Sequence, residues 1–161
     1  MSHRAEPKPA LLRIAAVALT ATALTAGTLA GCGGDGNADV GAKPGAEGVR
    51  DVVSVYAKAL ADGDGQRACS LMSKPAQDAL RTRTKGADCL DAVKKVSPDA
   101  AAAGLGQVKF EDPQVSGDNA TVKVSLAADA KDGALKALGS EQLKLVQIDA
   151  RWHIDEDAAA S

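Results

Sequence analysis

The spacing of apolar residues changes once along this chain, from a helical period to a strand period. Between Val49 and Leu60, apolar side chains recur every three or four positions, which places them on one stripe of a helix. Between Ala120 and Leu126 they alternate with polar side chains, a pattern typical of a half-buried strand. Helices followed by antiparallel strands indicate an α+β domain.

Caps and breakers divide the helical half into four segments. Good first residues or N-terminal caps stand at the four starts: Glu47, Asp64, Pro75 and Asp88. We expect the first helix to stop at Gly63, because glycine readily adopts the left-handed conformation that ends a helix. The third should end near Gly86, and the pair Ser97-Pro98 predicts the end of the fourth helix.

The second half contains a hairpin whose register can be predicted. A two-residue turn at Asp149-Ala150 would join the strands 143–148 and 151–155 and place Ile148 opposite Arg151. The face that should then meet the first helix carries Leu143, Leu145, Gln147, Trp152 and Ile154. Ala150 is an unfavourable residue for positive φ, so a longer or bulged turn remains open. A slip of one residue would exchange the two faces.

The second half contains one further predicted strand and one connection whose structure the sequence does not predict. Val108 and Phe110 alternate with polar residues and predict another strand, followed by a turn at 117–119. The polar connection from Ala127 to Gln142 gives no clear structural prediction.

The N-terminal region reads as a secretory signal peptide. A segment bearing Arg4, Lys8 and Arg13 precedes an apolar run from Ile14 to Thr28. The run closes on the sequence Leu29-Ala30-Gly31-Cys32, which resembles the lipobox of bacterial lipoproteins. That resemblance implies cleavage after residue 31 and diacylglyceryl modification of Cys32, which would anchor the chain to the extracytoplasmic face of the cell membrane through at least two acyl chains.

Two alternatives explain the same apolar run. A transmembrane helix needs about 20 predominantly apolar residues, whereas this run is diluted by threonines and contains Gly27 and Gly31. An ordinary cleaved secretory signal would not require a cysteine at its end. The agreement of all four lipobox positions favours lipidation of Cys32. Residues 1–31 are then the signal peptide, and residues 32–46, rich in Gly, Asp and Ala, are a flexible tether.

Charge and aromatic content argue against nucleic-acid binding. Removal of residues 1–31 changes 19 basic and 21 acidic residues to 16 and 20, and the net charge from −2 to −4. A basic stripe, the usual footprint of a nucleic-acid-binding surface, is therefore not expected. Tyr56, Phe110 and Trp152 are the three aromatic residues, too few for a base-stacking platform.

The three cysteines become consistent with secretion once Cys32 is acylated. Cys69 and Cys89 then remain as a pair outside the cytoplasm, where a disulfide persists. A metal pair or a redox pair is the alternative, but the spacing lacks zinc ligands and a Cys-x-x-Cys motif. Both cysteines fall on predicted helices, so their disulfide would join the second helix to the fourth.

The order of motifs resembles the small NTF2-like domains of actinobacterial lipoproteins. The resemblance is carried by Gly63, Asp64, Ala68 and Cys69, and then by Leu145, Val146, Arg151, Trp152 and Ile154. It covers residues 48–156 and implies an NTF2-like domain over 47–157. Such a domain is a cone in which N-terminal helices pack on a curved antiparallel sheet of about four strands, with a hollow that can hold a ligand. Homodimers through the outer face of the sheet also occur in this fold.

Catalytic signatures are weak. His153 is the single histidine of the mature chain and should point away from the Trp152 face, and the serines lack a Gly-x-Ser-x-Gly setting. The aspartates read as caps, turns and surface residues. We therefore expect no enzyme, no metal and no cofactor; an isomerase or dehydratase of the NTF2-like type is the least favoured reading.

The function expected from these features is that of an anchored binding module. Its ligand would be a small hydrophobic molecule held in the hollow, with candidate lining residues Tyr56, Leu145, Gln147, Trp152 and Ile154. The alternative is an accessory envelope protein that acts only through a protein partner. Membrane contact through Cys32 is common to both.

Overall fold

The computed structural model describes residues 39–125 and 131–155, with the side chain of Lys131 excepted. The predicted signal peptide, Cys32 and the first part of the tether lie outside the described residues, as do Leu126 and the last two residues of the predicted domain. Within the described ranges the protein is α+β: helices pack against a curled antiparallel sheet, an arrangement compatible with a cone.

Five α-helices of the described residues precede or interrupt the strands: α1 (Gly45–Asp62), α2 (Gly65–Ser70), α3 (Lys74–Thr84), α4 (Cys89–Ala102) and α5 (Lys131–Leu138). The predicted caps are present. Gly63 closes α1 in the left-handed conformation, and the Asp64 and Asp88 side chains accept hydrogen bonds from the first turns of α2 and α4. Ser73 caps α3, since its hydroxyl accepts from Ala76 N, and Pro75 lies in the first turn of that helix, as predicted.

The predicted end of the fourth helix at Ser97-Pro98 is wrong. Helix α4 continues through Pro98 to Ala102. Ala100 is fully buried, and α4 packs against both α1 and α5. This packing outweighs the backbone hydrogen bond that a proline removes from a helix interior.

Helix α5 lies in the connection between Ala127 and Gln142, for which no structure was predicted. Gly133 lets it approach α4 closely, because a Cβ there would lie 3.2 Å from Asp99 O.

The strands are β1 (Lys109–Phe110), β2 (Gln114–Ser116), β3 (Asn119–Ser125), β4 (Gln142–Ile148) and β5 (Arg151–Asp155). The order is β1-β3-β4-β5, and β2 pairs with β3 on the same side as β1. Pro113 lies between β1 and β2, where its missing N–H interrupts the edge strand.

The hairpin of β4 and β5 has the predicted register. Ile148 pairs with Arg151, Gln147 with Trp152 and Leu145 with Ile154. The turn has two residues, with positive φ at both Asp149 (49°) and Ala150 (62°). Ala150 therefore adopts a positive φ, which is unfavourable for alanine but is required in a two-residue turn of this type.

The outer edge of β5 is covered by two other segments. Trp152 N donates to Gly41 O at 3.1 Å, and Ile154 N donates to Leu71 O at 2.8 Å. Ser73 N in turn donates to Ile154 O at 2.7 Å. Gly41 belongs to the segment that the sequence assigned to the tether, so packing against the domain begins before α1.

Candidate functional site

One cavity lies where α1, α3 and the segment after α5 meet the ends of β4 and β5. Its volume is about 50 Å³, which is room for about three to five water-sized groups. Apolar and polar side chains share its lining: Tyr56, Met72, Ala76, Ala79, Leu80, Arg83, Leu138, Gly139, Ser140, Gln142, Leu143, Lys144, Ile154 and Asp155.

Tyr56 brings a hydroxyl to the cavity from the buried face of α1. It lies on the same apolar stripe as Val49, Val52 and Val53, and its side chain is almost fully buried. Burial raises the pKa of Tyr56 to about 12, although the nearby Arg83 charge acts in the opposite direction. The hydroxyl therefore stays protonated at neutral pH.

Arg83 brings a positive charge to the same cavity from the last turn of α3. Its Nη2 donates to Ala137 O at 2.9 Å, close to the C-terminal end of α5, where a cation is favoured by the helix dipole. The side chain is exposed along much of its length, but its guanidinium is partly withdrawn from water. That desolvation lowers the pKa of Arg83 from its usual value; an arginine nevertheless remains charged.

The guanidinium lies over the backbone of Gly139. This residue has φ +86°, and a Cβ at its position would lie 2.8 Å from Arg83 Cζ. Glycine is required here both for the left-handed conformation and for the close approach of the arginine. No carboxylate of the described ranges lies within ion-pairing distance of Arg83.

Four polar residues surround the remainder of the cavity. Ser140 Oγ donates to Gln142 O at 2.8 Å and accepts from Gln142 N at 3.0 Å, which fixes the entry into β4. Lys144 lies opposite Asp155 in the register of β4 and β5. Asp155 accepts a hydrogen bond from Ser73 Oγ. Counting Arg83 with these residues, the lining carries one positive charge in excess.

The structure distributes the predicted pocket residues over two places. Tyr56 and Ile154 line the cavity. Leu145 and Trp152 are buried in the core between α1 and the sheet, and Gln147 is partly exposed opposite Trp152 near the turn. The predicted shared face of the hairpin does meet α1, since a Cβ on Gly48 would lie 2.8 Å from Trp152 Cδ1.

Sequence reasoning missed Arg83, Gly139 and Ser140. Gly139 and Ser140 lie in the connection between β3 and β4, and Arg83 packs against it. No sequence pattern predicted where that segment lies in the fold. One signal was available: Gly139-Ser140 follows an apolar Ala137-Leu138 pair, which resembles a helix end with a glycine cap. A basic side chain can donate to the last carbonyl oxygens of such a helix, but the sequence does not indicate which basic residue does so here.

His153 lies on the opposite face of β5 from Trp152 and does not line the cavity. Its Nδ1 is buried and has no hydrogen-bond partner in the described part of the chain, and the same holds for Trp152 Nε1. Burial, and then the charge of Arg151, lower the pKa of His153 below its usual value, while Asp149 opposes them.

Cys69 and Cys89 form the predicted disulfide, with their Cα atoms 6.1 Å apart. It joins α2 to α4 across α3. Gln77 of α3 is tied to the same place, because its Nε2 donates to Cys69 O at 2.9 Å. A surface depression beside the disulfide is bordered by Lys74, Asp78 and Arg81, and both cations pair with Asp78.

Two features are absent from the described residues, a membrane-spanning helix and a metal-binding cluster. None of the helices formed by residues 39–125 and 131–155 has the length and apolar character needed to cross a membrane. In the same ranges, no three His, Cys, Asp or Glu side chains are grouped so that they could hold a metal ion.

No protein-family model matches the chain, and no curated protein or solved structure is similar enough to match it either.

Proposed function

We propose that this protein is a lipid-anchored extracytoplasmic binding module, in which an NTF2-like domain holds a small ligand in the Tyr56–Arg83 cavity. The observation that carries the proposal is the cavity itself: a space bounded by apolar side chains and supplied with two hydrogen-bond donors. A mainly apolar lining with a few placed polar groups is typical of ligand sites, and the volume of about 50 Å³ limits the ligand to a few heavy atoms.

The chemistry of the cavity favours binding over catalysis. The Tyr56 hydroxyl is protonated at neutral pH, and burial raises its pKa further, to about 12, while Arg83 stays charged. Both groups donate hydrogen bonds and neither accepts a proton, and Asp155, the carboxylate of the lining, accepts a hydrogen bond from Ser73 Oγ. His153, the residue with the most suitable proton affinity, lies on the other face of β5.

The disulfide and the lipobox support the location. A disulfide between Cys69 and Cys89 is the form expected of a cysteine pair outside the cytoplasm. If Cys32 carries the lipid, Asp39 follows it by seven positions, and a fully extended chain of that length spans at most about 25 Å. The domain would then stay close to the bilayer surface.

A protein-partner role has less support. Leu90, Val115 and Ile148 are the large apolar side chains exposed among the described residues. Val115 pairs with Ala120, which pairs with Leu145, so Val115 shares the inner face of the sheet. Ile148 lies on the outer face, and Leu90 lies on α4. These side chains therefore do not combine into one apolar docking patch of the kind that marks interaction surfaces.

The anchor is tested by Cys32→Ala. We expect the variant to leave the membrane fraction and to lose the mass of the acyl chains. Thr28→Ala, just outside the lipobox, is the control and should remain anchored. A Cys32→Ala protein that stays membrane-bound with unchanged mass would contradict the lipoprotein assignment.

The cavity is tested by Ala79→Leu, which adds three carbons to a residue of its lining. Ligands are sought by mass spectrometry of the natively purified protein and by thermal shift with a small-molecule panel. Ala101→Leu on the exposed side of α4 is the matched control. We expect bound molecules to stabilise the wild type and Ala101→Leu but not Ala79→Leu. Equal responses of all three proteins would place the binding elsewhere.

A further inference from the structure

Arg83 makes no ion pair within the part of the chain that the structure describes, although Asp155 and Lys144 share the lining of its cavity. The ion pairs found in that part of the chain join side chains on the surface, such as Lys58 with Asp62 and Arg50 with Asp112. Arg83 instead points toward the cavity and contacts a carbonyl oxygen, that of Ala137. A partly desolvated cation beside an open cavity is a favourable place for an anion.

The bond to Ala137 leaves most of the guanidinium free to bind. A guanidinium has five N–H donors arranged as a planar fork, and Nη2 uses one of them on the carbonyl. The remaining fork suits a planar carboxylate, which accepts two parallel hydrogen bonds. Capping of α5 and binding of an anion are therefore compatible roles for one side chain.

The other lining residues restrict what can accompany the carboxylate. Tyr56 supplies a second donor close to Arg83, and Ala79, Leu80 and Leu138 supply apolar contacts. A volume of about 50 Å³ admits a few heavy atoms but not a long chain or a ring system. The one excess positive charge of the lining disfavours a cationic ligand.

We propose that the cavity binds the carboxylate of a small organic acid, with the Arg83 guanidinium as its ion-pair partner and the Tyr56 hydroxyl as a second hydrogen-bond donor. The short carbon chain of the acid contacts Ala79, Leu80 and Leu138. This inference rests on the proposed function, since it names the ligand class of the same cavity.

The test compares propionate with propionamide, which have nearly the same shape and differ in charge. Binding to the complete protein is followed by nitrogen–proton correlation NMR, with the amides of Gly139 and Ser140 as reporters. We expect propionate to bind at least about tenfold more tightly than propionamide, as a charged partner strengthens hydrogen bonds to this extent.

Arg83→Gln should remove the preference for propionate and leave the weaker binding of propionamide unchanged. Arg81→Gln is the matched control, because it removes the same charge from the same helix at a residue outside the cavity. It should keep the full preference. Tyr56→Phe retains the ring and removes the hydroxyl, so propionate binding should weaken by about three- to tenfold.

The outcomes separate the two proposals. Equal binding of propionate and propionamide by the wild type would overturn the carboxylate inference while a small-ligand module stood. An unchanged preference in Arg83→Gln would overturn the role of Arg83. If Arg83→Gln does not fold, the wild-type comparison and Tyr56→Phe decide. Failure of both probes, together with no ligand from native purification, would overturn the proposed function as well.

Discussion

Helix α1 packs differently at two places along its length, which we call the Trp152 end and the Arg83 end, although small residues lie at both. At the Trp152 end, formed by Gly41, Gly48, Val52 and Trp152, glycine backbone presses against the indole. A Cβ on Gly41 would lie 2.6 Å from Val52 Cγ2 and 2.8 Å from Trp152 O. At the Arg83 end, formed by Tyr56, Ala79, Arg83 and Gly139, small side chains leave a cavity instead.

This difference shows that the effect of a small residue depends on its neighbours. Where the neighbouring backbone can occupy the space beside it, the packing is close, and where it cannot, a cavity remains. Gly48 and Tyr56 are eight residues apart, about 12 Å along the helix axis. Near Gly48, the segment around Gly41 covers β5 and fills the volume. Near Tyr56, α3 packs against α4 and is joined to Cys69 O by Gln77 Nε2, and a cavity lies between α3 and the start of β4. Interiors are normally filled to crystal-like density, so an unfilled site beside two donors is consistent with a ligand.

The largest expected effect comes from removing the side chain that fills the Trp152 end. Trp152 is 2% exposed, and Trp152→Ala should lower the free energy of unfolding by about 3–5 kcal/mol, the usual cost of a large aromatic truncation in a core. Urea denaturation measures it. Ile148→Ala, an exposed position on the neighbouring strand, is the control and should change stability by less than about 0.5 kcal/mol. Similar losses in both variants would contradict the packing described here.

Removing the disulfide should loosen the frame that holds the Arg83 end open. The bond closes a loop with a sequence separation of 20, and the chain-entropy model gives it about 3 kcal/mol. We expect Cys69→Ser/Cys89→Ser to lose about that amount in urea denaturation. Wild-type protein treated with a thiol reductant serves as the control and should match the double variant. A loss below about 1 kcal/mol would mean that helix packing alone fixes α2 and α4.

Gly48→Ala tests the close packing of the Trp152 end with a single methyl group. In an exposed helix interior this change stabilises by about 1 kcal/mol. Here the new Cβ meets Trp152 Cδ1 and the Lys43 carbonyl oxygen, so we expect a loss of about 1–3 kcal/mol from overpacking. Gly106→Ala is the control, because its Cβ would find its nearest neighbour at 3.7 Å. A stabilised Gly48→Ala protein would refute the tight approach.

Ala79→Leu adds carbon atoms at the other end and should have the opposite sign. The new side chain enters the cavity, so the free energy of unfolding should rise by up to about 1 kcal/mol, as cavity-filling substitutions commonly give. Ala101→Leu should stay within about 0.5 kcal/mol of the wild type. Thermal and urea denaturation of the two variants give the comparison. A loss above about 1 kcal/mol in Ala79→Leu would mean that the Arg83 end is packed as tightly as the Trp152 end.

The Trp152 end was largely predictable from sequence, because every signal there is local. The apolar stripe of α1, the alternation of β4 and β5 and the two-residue turn between them fix the register and the shared face. The turn was left open, since Ala150 disfavours positive φ, and Gly41 was assigned to the tether although its carbonyl accepts from Trp152 N. The strand pairing of Leu145 with Ile154 and of Gln147 with Trp152 outweighs the local cost of positive φ at Ala150.

The Arg83 end was not predictable, because it is assembled from residues far apart in sequence. Arg83 and the Ala137 carbonyl are 54 positions apart, and α5 gave no clear signal. The predicted pocket was based on the apolar faces of α1 and the hairpin, so it included Tyr56 and Ile154 but not the arginine. Continuation of α4 through Pro98 was missed for a related reason: the burial of Ala100 against other helices outweighs a local breaker.

The smallest expected effect lies behind the Trp152 end, at His153 on the outer face of β5. Burial, and then the charge of Arg151, lower the pKa of His153 in the folded protein, whereas in the unfolded chain it should be about 6.5. The unfolded state therefore binds more protons near and below that pH, so stability is lost as the pH falls below about 6.5, until the folded pKa is passed. We expect the urea midpoint of the wild type to fall more between pH 7.5 and 5.5 than that of His153→Gln. The difference between the two proteins removes the contribution of the carboxylates, and identical pH profiles would show that the imidazole titrates alike in both states.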